Sequence, residues 1–530
     1  MTTSAGAGSD ILVVGAGPTG LLLAAELQRR GVRCLVVDAH AEPNHWDRAT
    51  VVHPRSLEVF ESLGLVDQFL DAGTPQRGAK LHSGGEVLGA FDTAMAGSRY
   101  EFDVGVSEEV TERILTAYLE AQGGTVTRGS KVVGLTADAD SVRARIDHDG
   151  ATHEVEARWV VGCGGLHGPT RVAIGVEYEG HDITEPWAVF DATITNWPET
   201  YDVTFVYLDA VPVILTALPG QRWRVYLRPS SSGSDLVDDA TGTLAVYYPE
   251  VSFVDVENPL RFHCHSQVAQ RFRSGRVLLA GDAAHLCSPS QGHGMNTGLQ
   301  DSANLAWKLA LVCHGAADAE LLDSYEAERR PAAKLVADAG DDFEHAQLLV
   351  EPTERATRDE GLRSTFAAEA SRHHEAVAHA ELNVEYSGSP IVDGDADDHL
   401  GPGDRMPDTI VVAPAGEGPD RLHAHAHRPG HTVVLLAGPT ASPDALADVL
   451  KGSQQQVDDS PRLDAVVAFA AAAERPPGVG RIASDAAEQL GVRDVTLLAV
   501  RPDGYVGLRA DHDHLAALAR YDALVRDGHA

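Results

Sequence analysis

The first ordered pattern along the chain is ILVVGAGPTGLLLAAELQRRGVRCLVVDA, Ile11 to Ala39. A run of four apolar residues, Ile11 to Val14, predicts a short strand. Leu21 to Arg30 carries a broad apolar face at helical spacing and stops at Gly31, a usual place for a helix to end. Leu35 to Val37 predicts a second strand, ending on Asp38. Strands this uniformly apolar are covered on both faces, so the segment reads as a β-α-β unit of a parallel sheet. Further on, SVRARIDHDGATHEVEARWVVG alternates apolar and polar positions around His148-Asp149-Gly150, a hairpin signal. From about 180 to 270 the chain is rich in Val, Thr, Tyr, Phe and Trp. YDVTFVYLDAVPVILTAL, RWRVYLRP and TLAVYYP predict antiparallel strands. A strand at Leu278 and a long amphipathic helix to Ala310 follow, and helices dominate to about 380. LGPGDRMPD, at 400 to 408, reads as a linker. After it come a strand (HTVVLLAG), a helix, a strand (DVTLLAV), a hairpin (RPDGYVGLR) and a helix.

These elements predict an α/β protein with three parts. A Rossmann-type nucleotide-binding domain occupies 1–180 and 272–395. An inserted antiparallel β-sheet domain that takes the substrate occupies 181–271, and a small αβ domain 405–530. A chain of 530 residues is long enough for several cores.

Charge removes some classes of partner. Asp plus Glu number 78 against 42 Lys plus Arg, for a net charge of −36, which disfavours nucleic acid and anionic membrane surfaces. MTTSAGAGSD carries no charged-then-apolar secretory pattern, and no apolar run approaches the roughly 18 residues of a membrane span. The five cysteines are odd in number and scattered, with no CxxC. That suits a reducing compartment, and the expectation is a soluble cytoplasmic protein without disulfides.

The candidate chemistry sits on two glycine-rich connections. Gly15, Gly17 and Gly20, with Ala16, Pro18 and Thr19 between them, form G-x-G-x-x-G between strand and helix. The first glycine permits the turn, the second admits a pyrophosphate to the backbone, and the third lets helix and strand pack closely. The helix N-terminus then offers N–H groups to phosphates, and Asp38 can accept from ribose hydroxyls. These residues alone do not separate FAD from NAD. The second connection, LLAGDAAHLCSPSQGHGMNTGLQDSANLAWKLA, ends a strand on Gly281-Asp282. It then spends about a dozen residues on turns before its helix, where a purely structural link needs only a few.

Taken with the N-terminal unit, AGDAAH and GMNTGLQDSANLAWKL resemble the flavoprotein monooxygenases of the p-hydroxybenzoate hydroxylase type. The branch in view is the aromatic polyketide hydroxylases with a C-terminal thioredoxin-like domain, and the resemblance covers nearly the whole chain. It implies FAD as cofactor, with NAD(P)H and O2 as co-substrates. It implies hydroxylation of a polycyclic phenolic substrate through a C4a-hydroperoxyflavin, in antibiotic biosynthesis. It places Asp282 at the ribityl chain, and Pro289, Gly292 and Gly294 where the backbone passes the isoalloxazine. The helix beginning near Met295-Asn296 would aim its N-terminus at flavin N1 and the C2 carbonyl. Arg48 falls where the family sets an arginine against FAD, and Glu108 stands where the family has a cofactor-contacting Gln. His293 is near the flavin by position and is the one candidate for a catalytic group.

Beyond Glu108, the chain departs from the family at three places. Gly164 and Gly168 stand for an Asp and a Ser of a motif tied to FAD and NAD(P)H binding, and Gln291 stands for a Gly beside the ring. A Baeyer–Villiger or ring-opening flavoenzyme is therefore an alternative, as is a flavin-binding protein that does not oxygenate. A homodimer and an external flavin reductase stay open as partners. No metal site is expected. HAHAH (His423, His425, His427) reads as an exposed strand edge and His373-His374 as a solvated helix face. The C-terminal domain, without CxxC, reads as a structural or interface module.

Overall fold

The computed structural model describes residues 9–43, 49–349, 351–394, 399–414, 416 and 418–529. The chain divides into two compact units. The first comprises Met1–Ala25, Leu35–Gln300 and Ala333–Asn383, and the second Glu26–Cys34, Asp301–Ala332 and Val384–Ala530.

The first unit is built on two large sheets. The nucleotide-binding sheet runs in the order Arg273–Ser274, Val277–Leu279, Ala151–Gly162, Ser9–Val14, Cys34–Val37, Val126–Thr127. Ser9–Val14 lies parallel to Ala151–Gly162, which lies parallel to Val277–Leu279. Ile11, Leu12 and Val13 are fully buried there, as the unbroken apolar run requires. The predicted hairpin forms from Val142–His148 and Ala151–Gly162, with Asp149 and Gly150 both at positive φ. That backbone fits a two-residue turn matched to strand twist.

The second sheet has seven strands: Ser252–Phe262, Trp187–Thr195, Arg222–Leu227, Val213–Leu218, Thr204–Tyr207, Gly78–Ser83 and Glu86–Asp92. The first five pair antiparallel, as the sequence predicts. The last two come from far upstream, Thr204–Tyr207 pairing parallel to Gly78–Ser83. Alternate residues bury on opposite faces. Trp223, Val225 and Leu227 join one core with Ala240 and Leu244, while Tyr226, Ile214 and Val206 join another with Phe366. TLAVYYP is a correction: Leu236–Leu244 is a helix with turns after it. Asp235 caps that helix by accepting from the Val237 and Asp238 amides, a local signal stronger than the β-branched composition that follows.

In the second unit, His431–Ala437 pairs parallel to Leu463–Ala470 and antiparallel to Val495–Val500, which pairs antiparallel to Val506–Ala510. The helices Pro443–Asp459, Ser484–Gln489 and His514–Asp527 connect and follow these strands. This is a thioredoxin-like arrangement, and none of the five cysteines falls in the 384–530 segment that builds it. The linker segment continues into it, since the Met406 amide donates to the Gly504 carbonyl and Gly403 to Val506. HAHAH is a second correction. His423 and His425 lie in the short helix Leu422–Ala426, His427 caps it, and His423 is buried. On a helix these three cannot share one face, and acidic partners are present: His425 meets Asp420 at 2.8 Å. His373 and His374 are exposed, with His373 Nδ1 2.8 Å from the Met95 carbonyl. No described helix is long and apolar enough to cross a membrane.

Candidate active site

The glycine turn is sterically enforced. Gly15 sits at φ +111°, and a Cβ there would overlap the Cys163 carbonyl. A Cβ on Gly20 would overlap the Gly15 carbonyl, so neither position accepts a side chain. Gly17 differs: a Cβ would meet nothing nearer than a Glu112 oxygen at 3.9 Å. Its bare backbone faces open space, the close-approach surface that a pyrophosphate needs. Asp38 accepts from the Ala16 amide at 2.7 Å and from the His40 amide at 2.8 Å, which holds the carboxylate at the mouth of the turn.

The second connection packs onto the first. Cβ atoms on Gly281 or Gly298 would both run into the Thr19 side chain. The strand-end turn and the following helix therefore close on the first turn of Pro18–Arg29. Asp282 is exposed in a 3-10 turn, Gly281–Ala283, and its carbonyl accepts from the Tyr178 hydroxyl at 2.8 Å. Pro289 opens a second 3-10 turn, Pro289–Gln291, which ends on Gly292 at φ +74°. The helix starts at His293, two residues before the expected Met295-Asn296, and runs to Cys313. Its first-turn amides lack partners within the helix. Gly294 packs by Cys287, whose thiol is pushed up by burial.

Among the described residues the Gln291 carboxamide oxygen is buried with no hydrogen-bond partner, an acceptor left for a bound molecule. With the open glycine backbone, two acids at strand ends and a helix N-terminus, the residues present fit FAD. The side chain of Asn296 is engaged with the protein itself. Its side chain donates to the Val51 and Gly292 carbonyls and accepts from the His53 amide, so it braces the loop. Glu108 is likewise a brace, its carboxylate 3.3 Å from the Ala49 amide. Arg48 lies outside the described residues. Around Gly164, a Cβ would meet the Gly168 Cα at 3.4 Å, an ordinary contact, whereas one on Gly168 would come within 3.0 Å of Gly164 backbone.

A buried polar cluster borders this loop, and of its members only His293 was singled out from sequence. The ladder pairing Val52 with Val104 sets His53 opposite Asp103. Pro54, at the first position of the helix Pro54–Ser62, leaves His53 extended as its cap. His53 Nδ1 lies 2.9 Å from Asp103, its Nε2 3.1 Å from the Gln291 carbonyl, and His379 Nε2 2.7 Å from the other Asp103 oxygen. Burial would push the His53 imidazole down, but the charge and hydrogen bond of Asp103 outweigh it and the net shift is upward. Burial opposes ionisation of Asp103, yet the two histidines hold it well below the usual carboxylate range. The His293 ring lies tilted against that of His53, 4.8 Å away, and meets Glu381 at 2.9 Å; burial holds it low despite that partner. Asp103 and His379 stand about 50 and 330 residues from His53, and no local motif announces them. His53 alone carried a signal, a polar residue between an apolar strand and a helix-starting proline.

The fold and the two glycine connections define a flavin-dependent oxidoreductase. The FAD binding domain family matches residues 8–340, and the chain belongs to it. The 12-dehydrotetracycline 5-monooxygenase/anhydrotetracycline 6-monooxygenase of Streptomyces rimosus subsp. rimosus is 31% identical over 94% of both chains. The pentachlorophenol 4-monooxygenase of Sphingobium chlorophenolicum is 29% identical over 78% of this chain and 81% of its own. Among solved structures, the OxyS anhydrotetracycline hydroxylase from Streptomyces rimosus superposes with a TM-score of 0.73 at 30% identity, covering 97% of this chain and 99% of that one. The protein is an FAD-dependent monooxygenase with NAD(P)H and O2 as co-substrates.

Proposed function

We propose that this monooxygenase hydroxylates a polycyclic phenolic substrate of the aromatic polyketide type, in the biosynthesis of an antibiotic. The observation that carries the reading is the end-to-end likeness, C-terminal unit included, to an enzyme named for dehydro- and anhydrotetracycline. Bound FAD supplies the redox chemistry that activates oxygen. The chain supplies the rest. Asp38 and Asp282 would take hydroxyls of the cofactor's ribose and ribityl chain. The N-terminus of His293–Cys313 would lend its amides and dipole to negative charge on the reduced ring. Thr50 and Tyr226, whose hydroxyls lie 3.0 Å apart in a buried position, would hold a phenolic oxygen at the face of the seven-stranded sheet. We place the protein in the cytoplasm, where NAD(P)H is available and its cysteines stay free.

The test is aerobic turnover with NADPH and anhydrotetracycline as probe, read by product mass and NMR. One oxygen added to an intact aromatic ring supports the proposal. A ring-expanded lactone would assign the Baeyer–Villiger alternative, and no NADPH-dependent product from any polycyclic phenol would remove the substrate assignment.

A further inference from the structure

The cluster at His53 presents more acceptors than its neutral histidines can satisfy. The Gln291 carbonyl can only accept, so His53 Nε2 carries its hydrogen there. The other ring nitrogen, Nδ1, then faces the Asp103 carboxylate, also an acceptor. A neutral imidazole has one N–H, so the Nδ1 contact calls for a positive centre between the two atoms, either a second ring proton or a metal ion. His379 presents Nε2 to the same carboxylate from the opposite side. Close by, the buried Glu381 carboxylate adds another negative charge. Such a site, with two carboxylates among imidazoles, matches the charge of a divalent cation.

We propose that His53 Nδ1, an Asp103 oxygen and His379 Nε2 form a binding site for a divalent first-row transition metal of the zinc class. The three ligand atoms lie within 4.8 Å of one another. Ligands of a tetrahedral zinc sit about 3.4 Å apart, from bond lengths near 2.0–2.2 Å. Closing the widest separation by about 1.4 Å would therefore complete the site. Two imidazoles and a carboxylate are a donor set this metal class prefers. The supporting shell is already in place, since a metal-bound imidazole ordinarily gives its other N–H to a carbonyl, as His53 does to Gln291. Entry is from the side of His379, whose side chain keeps 18% of its exposure while His53 has none. On binding, the metal takes the lone pairs at Nδ1 of His53, whose ring hydrogen stays on Nε2, and at Nε2 of His379; any proton held on either nitrogen is released to solvent, with no change of oxidation state. Bound there, it would tie the strand carrying Asp103 and the end of the helix Glu369–His379 to the Gln291-Gly292 turn.

The experiment uses the FAD-loaded full-length protein, treated with chelator and then dialysed against Zn2+. Zinc content per chain is measured, and Co2+ is substituted to give a visible band to the red of the flavin. With 25 histidines in the chain, adventitious zinc is expected, so the variants decide. We expect one tightly held zinc, weakened about a hundredfold or more in Asp103→Asn and in His379→Ala, and unchanged in the control His425→Ala. Bound FAD per chain verifies folding, and His379→Ala, altering a partly exposed helix end, serves if Asp103→Asn does not fold. Zinc held equally by wild type and both variants, or not held by wild type, overturns the proposal.

Discussion

Two buried polar clusters, one in each unit, are built on opposite plans. In the second unit, Glu328 takes both guanidinium arms of Arg501, at 2.7 and 2.8 Å, and the ammonium of Lys308 at 2.6 Å. Asp503 takes Arg501 in turn, and Asn304 and Ser389 fill further positions on Glu328. Two cations face two anions, every one of them buried. The cluster is closed and neutral, with no group left to meet a ligand. In the first unit, two carboxylates are faced by three histidines, groups whose charge depends on what they bind. The closed cluster fixes the packing of its helices and strands. The open one borders the turn that ends on Gly292 and can take up a cation.

The contrast is broken most sharply by Arg501→Met. It strands two buried carboxylates with one lysine and should cost about 3–5 kcal/mol, read as a large fall in denaturant midpoint. The double variant Arg501→Met/Glu328→Met leaves Lys308 to face Asp503 and should recover much of that loss. Asp103→Asn removes a charge but keeps a hydrogen-bonding side chain, so it should cost less, about 1–3 kcal/mol, while altering the flavin absorbance that Arg501→Met leaves alone. Acid separates the plans as well. Burial alone would raise the Glu328 carboxyl, but Arg501 and Lys308 hold it far below its ordinary 4.5. Glu26, held by Arg30 and Arg29 against burial, is pulled down to about 2. A depressed carboxyl contributes stability that is complete above its unfolded value and lost as pH falls through its folded one. Unfolding followed from pH 5 to 2 should therefore show stability falling, and less steeply in the Arg501→Met/Glu328→Met variant. The smallest effect is expected at Gly164, where a side chain has room. Gly164→Asp should tighten NADPH by about tenfold, the worth of one hydrogen bond to a charged group, read as a lower half-saturating concentration for flavin reduction.

The legible parts of this protein were those with a local cause. The β-α-β start, the hairpin at Asp149-Gly150 and the strands of both later sheets follow from period and turn chemistry that a short window contains. So does the glycine spacing of the two connections, although the contacts that require Gly15, Gly281 and Gly298 come from Cys163 and Thr19, far along the chain. TLAVYYP misled because strand-like composition falls on the end of a helix set by an Asp235 cap and on the turns that follow it. HAHAH misled because two-residue spacing means one face only if the segment is a strand. His53, Asp103 and His379 escaped for a different reason. Their meeting depends on a strand register and on a helix more than 300 residues downstream, and only the folded chain brings them together. The side chains of Asn296 and Glu108 brace protein backbone, contacts that their motifs do not announce.

The central claim is that the flavin held between the two glycine connections is reduced by nicotinamide and then serves an aromatic substrate. Anaerobic rapid mixing of the yellow protein with NADPH, following flavin absorbance with and without a polycyclic phenol, tests it most directly. The account predicts prompt bleaching, faster when the phenol is present. Bound flavin that stays yellow with NADPH under both conditions would contradict it and point to a separate flavin reductase as the source of electrons.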